Sequence, residues 1–128
     1  MLADAKLGAF VAVRDPESAR AFYRDRLGLR LVSEDPGALI LDADGTTLRV
    51  QIVPTMTPVH YTVLGWRVTD IVEQIGQLQS AGVAMERFTG FPQDDLGVWT
   101  SPDGTRVAWF KDPSGNVLSL AQFQARAD

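Results

Sequence analysis

Few side chains in this chain are suited to chemistry. The sequence has one histidine, His60, and no cysteine, so it has no thiolate nucleophile, no disulfide and no cysteine-based zinc pattern. His60 stands just before a strand-like run, where we expect an edge or loop residue and not a metal ligand or general base. The carboxylates with positions typical of turns and helix caps are Asp15, Asp44, Asp70, Asp103 and Asp112. The sequence therefore shows no pair of groups suited to proton transfer.

Polar side chains alternate with apolar ones along the run from Thr46 to Val53. Thr47, Arg49 and Gln51 fall on one face of a strand there, and the residues between them are apolar. The apolar face would pack under a helix, and the polar face is either a pocket wall or an ordinary solvent-facing side. Guanidinium groups on a pocket wall suit a ligand with an anionic or carbonyl group. The alternative is that they pair with neighbouring carboxylates and do nothing further.

The three tryptophans are expected to play different parts. Trp66 alternates with Leu64 and Val68 and is expected to pack under a helix. Trp99 and Trp109 are candidates for an aromatic wall against a planar ligand. Packing in the core or at a dimer interface is the alternative for both.

Length and charge limit the classes of function. A chain of 128 residues with 45% hydrophobic residues predicts a single domain over residues 1–128. The net charge of -4, with basic residues scattered, argues against nucleic acid as a partner. The N-terminus does not resemble a signal peptide, and no apolar run approaches the roughly 18 to 20 residues of a membrane span. We therefore expect a cytoplasmic protein with no membrane partner.

The first half of the chain predicts one strand, one helix and three more strands. A strand at Leu7 to Val13 leads to Asp15 and Pro16, which suit the N-cap and first turn of a helix. That helix is predicted to end at Gly28, in the position of a left-handed C-cap. The strands that follow are predicted at Leu29 to Glu34, Ala38 to Asp42 and Thr46 to Val53.

The second half repeats this order. A strand at Tyr61 to Val68 leads to a cap at Thr69 or Asp70 and a helix that ends before Gly82. Three strands are then predicted, at Ala84 to Phe88, Arg106 to Lys111 and Val117 to Gln122. Val13 lies 55 residues before Val68, and Gly28 lies 54 residues before Gly82. The matched spacing predicts two repeated modules, over residues 5–54 and 60–124 approximately.

Residues 89–104 are extra residues of the second half, rich in Gly, Pro and Asp. The segment is either a lid or a passive connection with a short hairpin at Ser101-Pro102-Asp103-Gly104. Asp94 and Asp95 lie within it and are expected to be solvated.

Three segments resemble those of the vicinal oxygen chelate superfamily, which includes glyoxalase I, extradiol dioxygenases, fosfomycin-modifying enzymes and bleomycin-resistance proteins. They are Val13-Arg14-Asp15, Phe22-Tyr23-Arg24-Asp25-Arg26-Leu27-Gly28 and Trp109-Phe110-Lys111-Asp112-Pro113-Ser114-Gly115-Asn116-Val117. The likeness covers nearly the whole chain. The resemblance implies an α+β fold of two βαβββ modules that form an open mixed β-sheet cleft, and often a homodimer.

In metal-using relatives, the first and last strands of each module supply the metal ligands. The corresponding residues here are Gly8, Arg49, Val63 and Ser119. None of them offers a carboxylate, imidazole or thiolate, and the permanent charge of Arg49 would repel a cation. We therefore expect neither a metal ion nor another cofactor.

The same positions indicate which strand faces line the cleft, because side chains alternate along a strand. Gly8 and Gly65 on these faces are expected to leave space for a ligand. The candidate ligand-binding residues are Phe10, Thr47, Arg49, Gln51, Arg67, Trp99, Trp109 and Ser119.

Two functions follow from the resemblance. The first is metal-independent binding of a small organic ligand in the cleft, as in bleomycin-resistance proteins, with the ligand held across a homodimer. The second is a metal-dependent lyase, isomerase or dioxygenase whose ligands are not among the four positions. A dimer that senses a metabolite is a further alternative. Catalytic residues are not assigned by any of these hypotheses.

Overall fold

Alternation of apolar and polar residues along short strands produces two four-stranded mixed sheets, one in each half of the chain. The computed structural model describes residues 1–124. The chain divides into two units, Met1–Pro58 and a second unit that begins at Val59. Two modules of this α+β architecture were predicted, and the fold class is confirmed. That the modules form a single domain stays a prediction. Among the residues described, no helix has the length and hydropathy needed to cross a membrane.

The first unit contains a short 3-10 turn at Leu2–Asp4, then a strand, a helix and three strands. The bounds are β1 Gly8–Val13, α1 Pro16–Arg20 with a π-helical continuation at Ala21–Arg26, β2 Arg30–Asp35, β3 Ala38–Ala43 and β4 Thr46–Ile52. The strand order is β1-β4-β3-β2. Strand β1 is parallel to β4, and the other neighbours are antiparallel.

Local chemistry defines the helical segment of this unit. The Asp15 carboxylate accepts a hydrogen bond from the backbone N–H of Ser18 at 3.2 Å, as expected of an N-cap. The helix then widens, and the N–H of Leu27 donates to the carbonyl of Phe22 at 2.9 Å. It ends at Gly28, whose φ of 76° is accessible to glycine at little cost.

The two faces of the first sheet differ in environment. The apolar side chains on one face that are at most 5% exposed are Val11, Val13, Leu39, Leu41, Leu48 and Val50. Helix α1 contacts β3 on this side. Each fully buried aliphatic side chain contributes about 1.5 to 3 kcal/mol, so this face holds the unit together. The opposite face leaves Phe10 60% exposed.

The second unit has the same order of strand, helix and strands. The bounds are β5 Thr62–Arg67, α2 Ile71–Ser80, β6 Trp99–Thr100, β7 Arg106–Lys111 and β8 Val117–Gln122. The strand order is β5-β8-β7-β6, with β5 parallel to β8. Helix α2 contacts β7 and β8, and its buried residues Ile71, Ile75 and Leu78 lie at helical spacing.

The prediction of a strand at Ala84 to Phe88 is wrong. Only Glu86 pairs there, in an isolated bridge with Trp109. The N–H of Phe88 donates to the side-chain oxygen of Gln93 at 2.8 Å, so a side chain takes the place of a neighbouring strand. The fourth strand of the sheet is β6, which is antiparallel to β7 and joined to it by the predicted hairpin at residues 101–104.

A hydrogen-bonded aspartate organises the hairpin between β7 and β8. Asp112 is 4% exposed. One of its carboxylate oxygens accepts from the N–H groups of Ser114 and Asn116 at 3.0 and 2.9 Å, and the other accepts from the Asn116 amide at 2.8 Å. The equivalent aspartate of the first unit, Asp42, accepts only a 3.5 Å bond from the N–H of Gly45. The second hairpin therefore depends more strongly on its aspartate.

We predict that Asp112→Ala destabilises the protein by about 2 to 3 kcal/mol, because it leaves buried donors without an acceptor. The matched control Asp42→Ala removes one long hydrogen bond and a 4.0 Å ion pair with the exposed Arg30, and should cost less than about 1 kcal/mol. Urea unfolding of both variants measures the difference. Equal losses in the two variants would show that the hairpin does not depend on the Asp112 network.

Candidate functional site

The face of each sheet away from its helix is called here the open face. On the open face of the first sheet, Gly8 pairs with Thr47, Phe10 with Arg49 and Ala12 with Gln51. Thr47 and Gln51 are exposed and Arg49 is half-buried, whereas the intervening Leu48 and Val50 are at most 2% exposed. The predicted separation of polar and apolar faces in β4 is therefore present. The structure brings four of the predicted site residues together on this face: Phe10, Thr47, Arg49 and Gln51.

The charge of Arg49 is not neutralised by a neighbour within residues 1–124. None of the ion pairs in this part of the chain includes it, although Arg30 and Asp42 approach to 4.0 Å on the same sheet. Arg49 lies opposite Phe10 on β1 and Ile40 on β3. A cation framed by apolar side chains can attract an anionic group of a ligand more strongly than a fully solvated one.

The open face of the second sheet carries the other four predicted residues in two adjacent rows. One row runs from Gly65 through Ser119 to Trp109. The next row runs from Arg67 through Ala121 and Val107 to Trp99. Paired residues on neighbouring strands point to the same side of a sheet, so Arg67, Ser119, Trp99 and Trp109 share this face.

Four aromatic side chains form a cluster on this face: Phe88, Phe91, Trp99 and Trp109. The ring centroids of Trp99 and Trp109 are 6.2 Å apart, and those of Phe91 and Trp109 are 5.3 Å apart. Phe91 also meets Trp99 edge-on at 5.4 Å, and Phe88 meets Trp109 edge-on at 5.6 Å. The structure thus brings the two predicted tryptophans together and adds two phenylalanines. Sequence reasoning missed both, and the only signal was their place in and beside the extra segment.

Gln93 helps to hold the extra segment in place, together with the pairing of Trp99 and Thr100 with β7. Besides its bond to Phe88, Gln93 donates from its side-chain nitrogen to the carbonyls of Glu86 and Gly97, at 3.0 and 2.7 Å. Gln93 also forms a bridge with Trp99. Because Phe91 precedes Gln93 by two residues, these bonds set its position against the tryptophans.

Trp66 lies on the other face of the second sheet, as predicted. Its ring stacks on that of Phe110, with centroids 6.1 Å apart and an angle of 21° between the planes. Phe110 is 1% exposed, which identifies this pair as part of the core beneath α2. The tryptophans are therefore divided between the two faces.

Gly65 does not leave space for a ligand, contrary to expectation. A Cβ at this position would lie 2.8 Å from the hydroxyl oxygen of Ser119, so the serine already fills the site. Ser119 itself is only 9% exposed. At Gly8, by contrast, the nearest atom to an added Cβ is a Phe10 ring carbon at 3.7 Å, which is an ordinary contact.

The residues at the four family metal positions do not fit a metal ion. Gly8 and Val63 have no ligand atom, Arg49 carries a permanent positive charge, and the Ser119 hydroxyl lies against Gly65. Across residues 1–124, no group of three or more His, Cys, Asp or Glu side chains is arranged to hold a metal. His60 is exposed and lies before β5, outside the paired strands.

A sequence model of the Glyoxalase/Bleomycin resistance protein/Dioxygenase superfamily matches residues 6–120. The crystal structure of a bleomycin resistance determinant encoded on transposon Tn5 is similar, with 28% identity, a TM-score of 0.74, and coverage of 94% of this chain and 98% of that chain. None of the curated proteins compared with the chain matches it.

Two further solved structures extend this likeness. A member of the same superfamily from Sphaerobacter thermophilus has 26% identity and a TM-score of 0.72, over 95% of this chain and 99% of that chain. A lactoylglutathione lyase from Agrobacterium tumefaciens has 18% identity and a TM-score of 0.72, over 93% of each chain, and shows the fold alone. The chain belongs to the Glyoxalase/Bleomycin resistance protein/Dioxygenase superfamily.

We predict that Gly65→Ala destabilises the protein by about 1 to 3 kcal/mol, because the new methyl group overlaps the Ser119 hydroxyl. Combining it with Ser119→Ala should recover most of that loss, since the clashing atom is then absent. Gly8→Ala is the control and should change stability by no more than about 0.5 kcal/mol. Denaturant unfolding of the four variants tests this, and additive losses in the double variant would contradict it.

Proposed function

We propose that this protein binds a small organic ligand on the open faces of its sheets without the help of a metal ion. The observation that carries the proposal is the aromatic cluster on the open face of the second sheet. Aromatic side chains on an open face offer flat apolar area for a planar ligand. Arg49 and Arg67 add cationic hydrogen-bond donors on the two open faces.

The similarity to the Tn5 bleomycin resistance determinant supports a binding role. By analogy with that protein's name, the ligand would be a natural product that the protein neutralises or carries. Analogy of fold alone does not identify the ligand, because one fold supports many functions. The chemistry of the open faces therefore carries the proposal, and the analogy supports it.

A metal-dependent lyase, isomerase or dioxygenase is the alternative within the superfamily. It would need ligands away from the four family positions, where the residues do not fit a metal. The two functions differ in their requirement for a metal, which can be measured directly. Homodimer formation and a cytoplasmic location stay predictions, and light scattering of the purified protein tests the first.

We predict that a planar aromatic ligand from a panel of natural products quenches tryptophan fluorescence through Trp99 and Trp109. Replacing both with Phe should remove most of the quenching and weaken binding about fivefold, because Phe offers less stacking area. Trp66→Phe is the matched control and should retain both properties, since Trp66 faces the core. Calorimetry measures affinity independently of fluorescence. A flat response to the whole panel, or quenching that depends on Trp66, would contradict the proposal.

We predict that removal of metal ions has no effect on this binding. Protein purified without chelators should contain no stoichiometric Mn, Fe, Ni or Zn by elemental analysis, and dialysis against EDTA should leave the affinity unchanged. His60→Ala tests the only imidazole in the chain and should bind as the unaltered protein does. A stoichiometric metal that is lost in His60→Ala would overturn the proposal and favour the metalloenzyme.

A further inference from the structure

Two cations on the open face of the second sheet, Lys111 and Arg67, differ in whether a carboxylate pairs with them. Glu86 and Lys111 form an ion pair at 3.5 Å, so that cation is already matched by a carboxylate. Arg67 takes part in no ion pair with any residue up to Gln124. Its guanidinium carbon instead lies 4.7 Å from the ring centre of Phe123. A cation over an aromatic face is restrained in position and retains its N–H donors.

Arg67 and Phe123 line an open cavity of about 1250 Å³ at the end of β5 and β8. Asp103 also lines this cavity, but its carboxylate accepts hydrogen bonds from the hydroxyl of Ser101 and from the N–H of Thr105 within its own turn. Arg106 lines the cavity too, but it alternates with Val107 and so lies on the helix side of β7. The cavity is large enough for a substituent of a ligand, and the Arg67 guanidinium on the open face is available to an oxyanion.

Sheet register gives the distance between this cation and the aromatic cluster. Arg67 is two residues along β5 from Gly65, which shares a row with Ser119 and Trp109. Two strand spacings and two residues place the Cα atoms of Arg67 and Trp109 about 12 Å apart. Because the guanidinium leans toward Phe123, beyond the Arg67 row, its distance from the tryptophan ring is about 12 to 15 Å.

We propose that the ligand is a planar aromatic acid, whose rings contact the aromatic cluster while its carboxylate or comparable oxyanion binds Arg67. This inference rests on the proposed function and specifies the class of ligand. It also assigns Arg67 a role in selecting acids over neutral compounds. The geometry requires a linker between the ring system and the acidic group, since a carboxyl group directly on the ring would fall short of Arg67.

Pyrenehexanoic acid and its primary amide are a suitable pair of probes, because they share rings and linker and differ only in charge. We expect the acid to bind about five- to tenfold more tightly than the amide, as a charge-assisted hydrogen bond at an exposed site implies. Arg67→Gln should abolish the preference for the acid and leave the affinity for the amide unchanged. Arg67→Lys should retain part of the preference, because it keeps the charge.

Arg24→Gln is the control, since it removes the same charge from an exposed ion pair with Asp25 in the first unit. It should leave the preference for the acid intact, and circular dichroism checks that each variant is folded. If both probes bind through the tryptophans with equal affinity, the inference is wrong and the proposed function stands. If neither probe binds and no compound of the natural-product panel binds, the proposed function fails as well. A preference that persists in Arg67→Gln would place the oxyanion elsewhere and overturn the assignment.

Discussion

Each sheet of this protein is covered by a single helical segment, and the rest of the structure depends on that constraint. A sheet has two faces, and one helix can bury only one of them. In the first unit, Leu48 and Val50 on the helix side of β4 are at most 2% exposed, whereas Thr47 and Gln51 on the opposite face are exposed. The stability of each unit comes from one face. The other face is the open face, where the predicted site residues lie.

The two open faces carry different kinds of side chains. The first combines one exposed phenylalanine with an arginine, a glutamine and a threonine in adjacent pairs. The second supports four aromatic rings at centroid distances of 5.3 to 6.2 Å. The difference arises from residues 89–104, which are additional to the repeat and contribute Phe91 and Trp99. A segment that costs little to insert at the surface thus supplies two of the four rings on the open face of its sheet.

The residues at the four family metal positions offer poor metal ligands in both halves of the chain. In the second unit, a Cβ added at Gly65 would lie 2.8 Å from the Ser119 hydroxyl oxygen, so the hydroxyl would have to move. Arg49 makes the corresponding position of the first unit unsuitable by charge. The two units therefore depart from the family pattern in different ways, by the charge of Arg49 in the first and by the hydroxyl of Ser119 in the second.

The sequence by itself determined the repeated order of elements, the helix caps, the closing hairpins and the faces on which Thr47, Arg49, Gln51 and Trp66 lie. These features depend on contacts between residues near one another in the chain and on the two-residue period of a strand, so local patterns are sufficient.

Only the tertiary structure decided the partners of those side chains. Three of these contacts join segments that are separate in the sequence. Gln93 bonds to residues 84–88 where a strand was predicted, Phe91 contacts Trp99 and Trp109, and the Ser119 hydroxyl lies where a side chain at Gly65 would be. The position of Arg67 over Phe123 likewise joins residues 56 positions apart in the chain. Such contacts depend on how loops and strands are brought together in space, and no local period of the sequence records that arrangement.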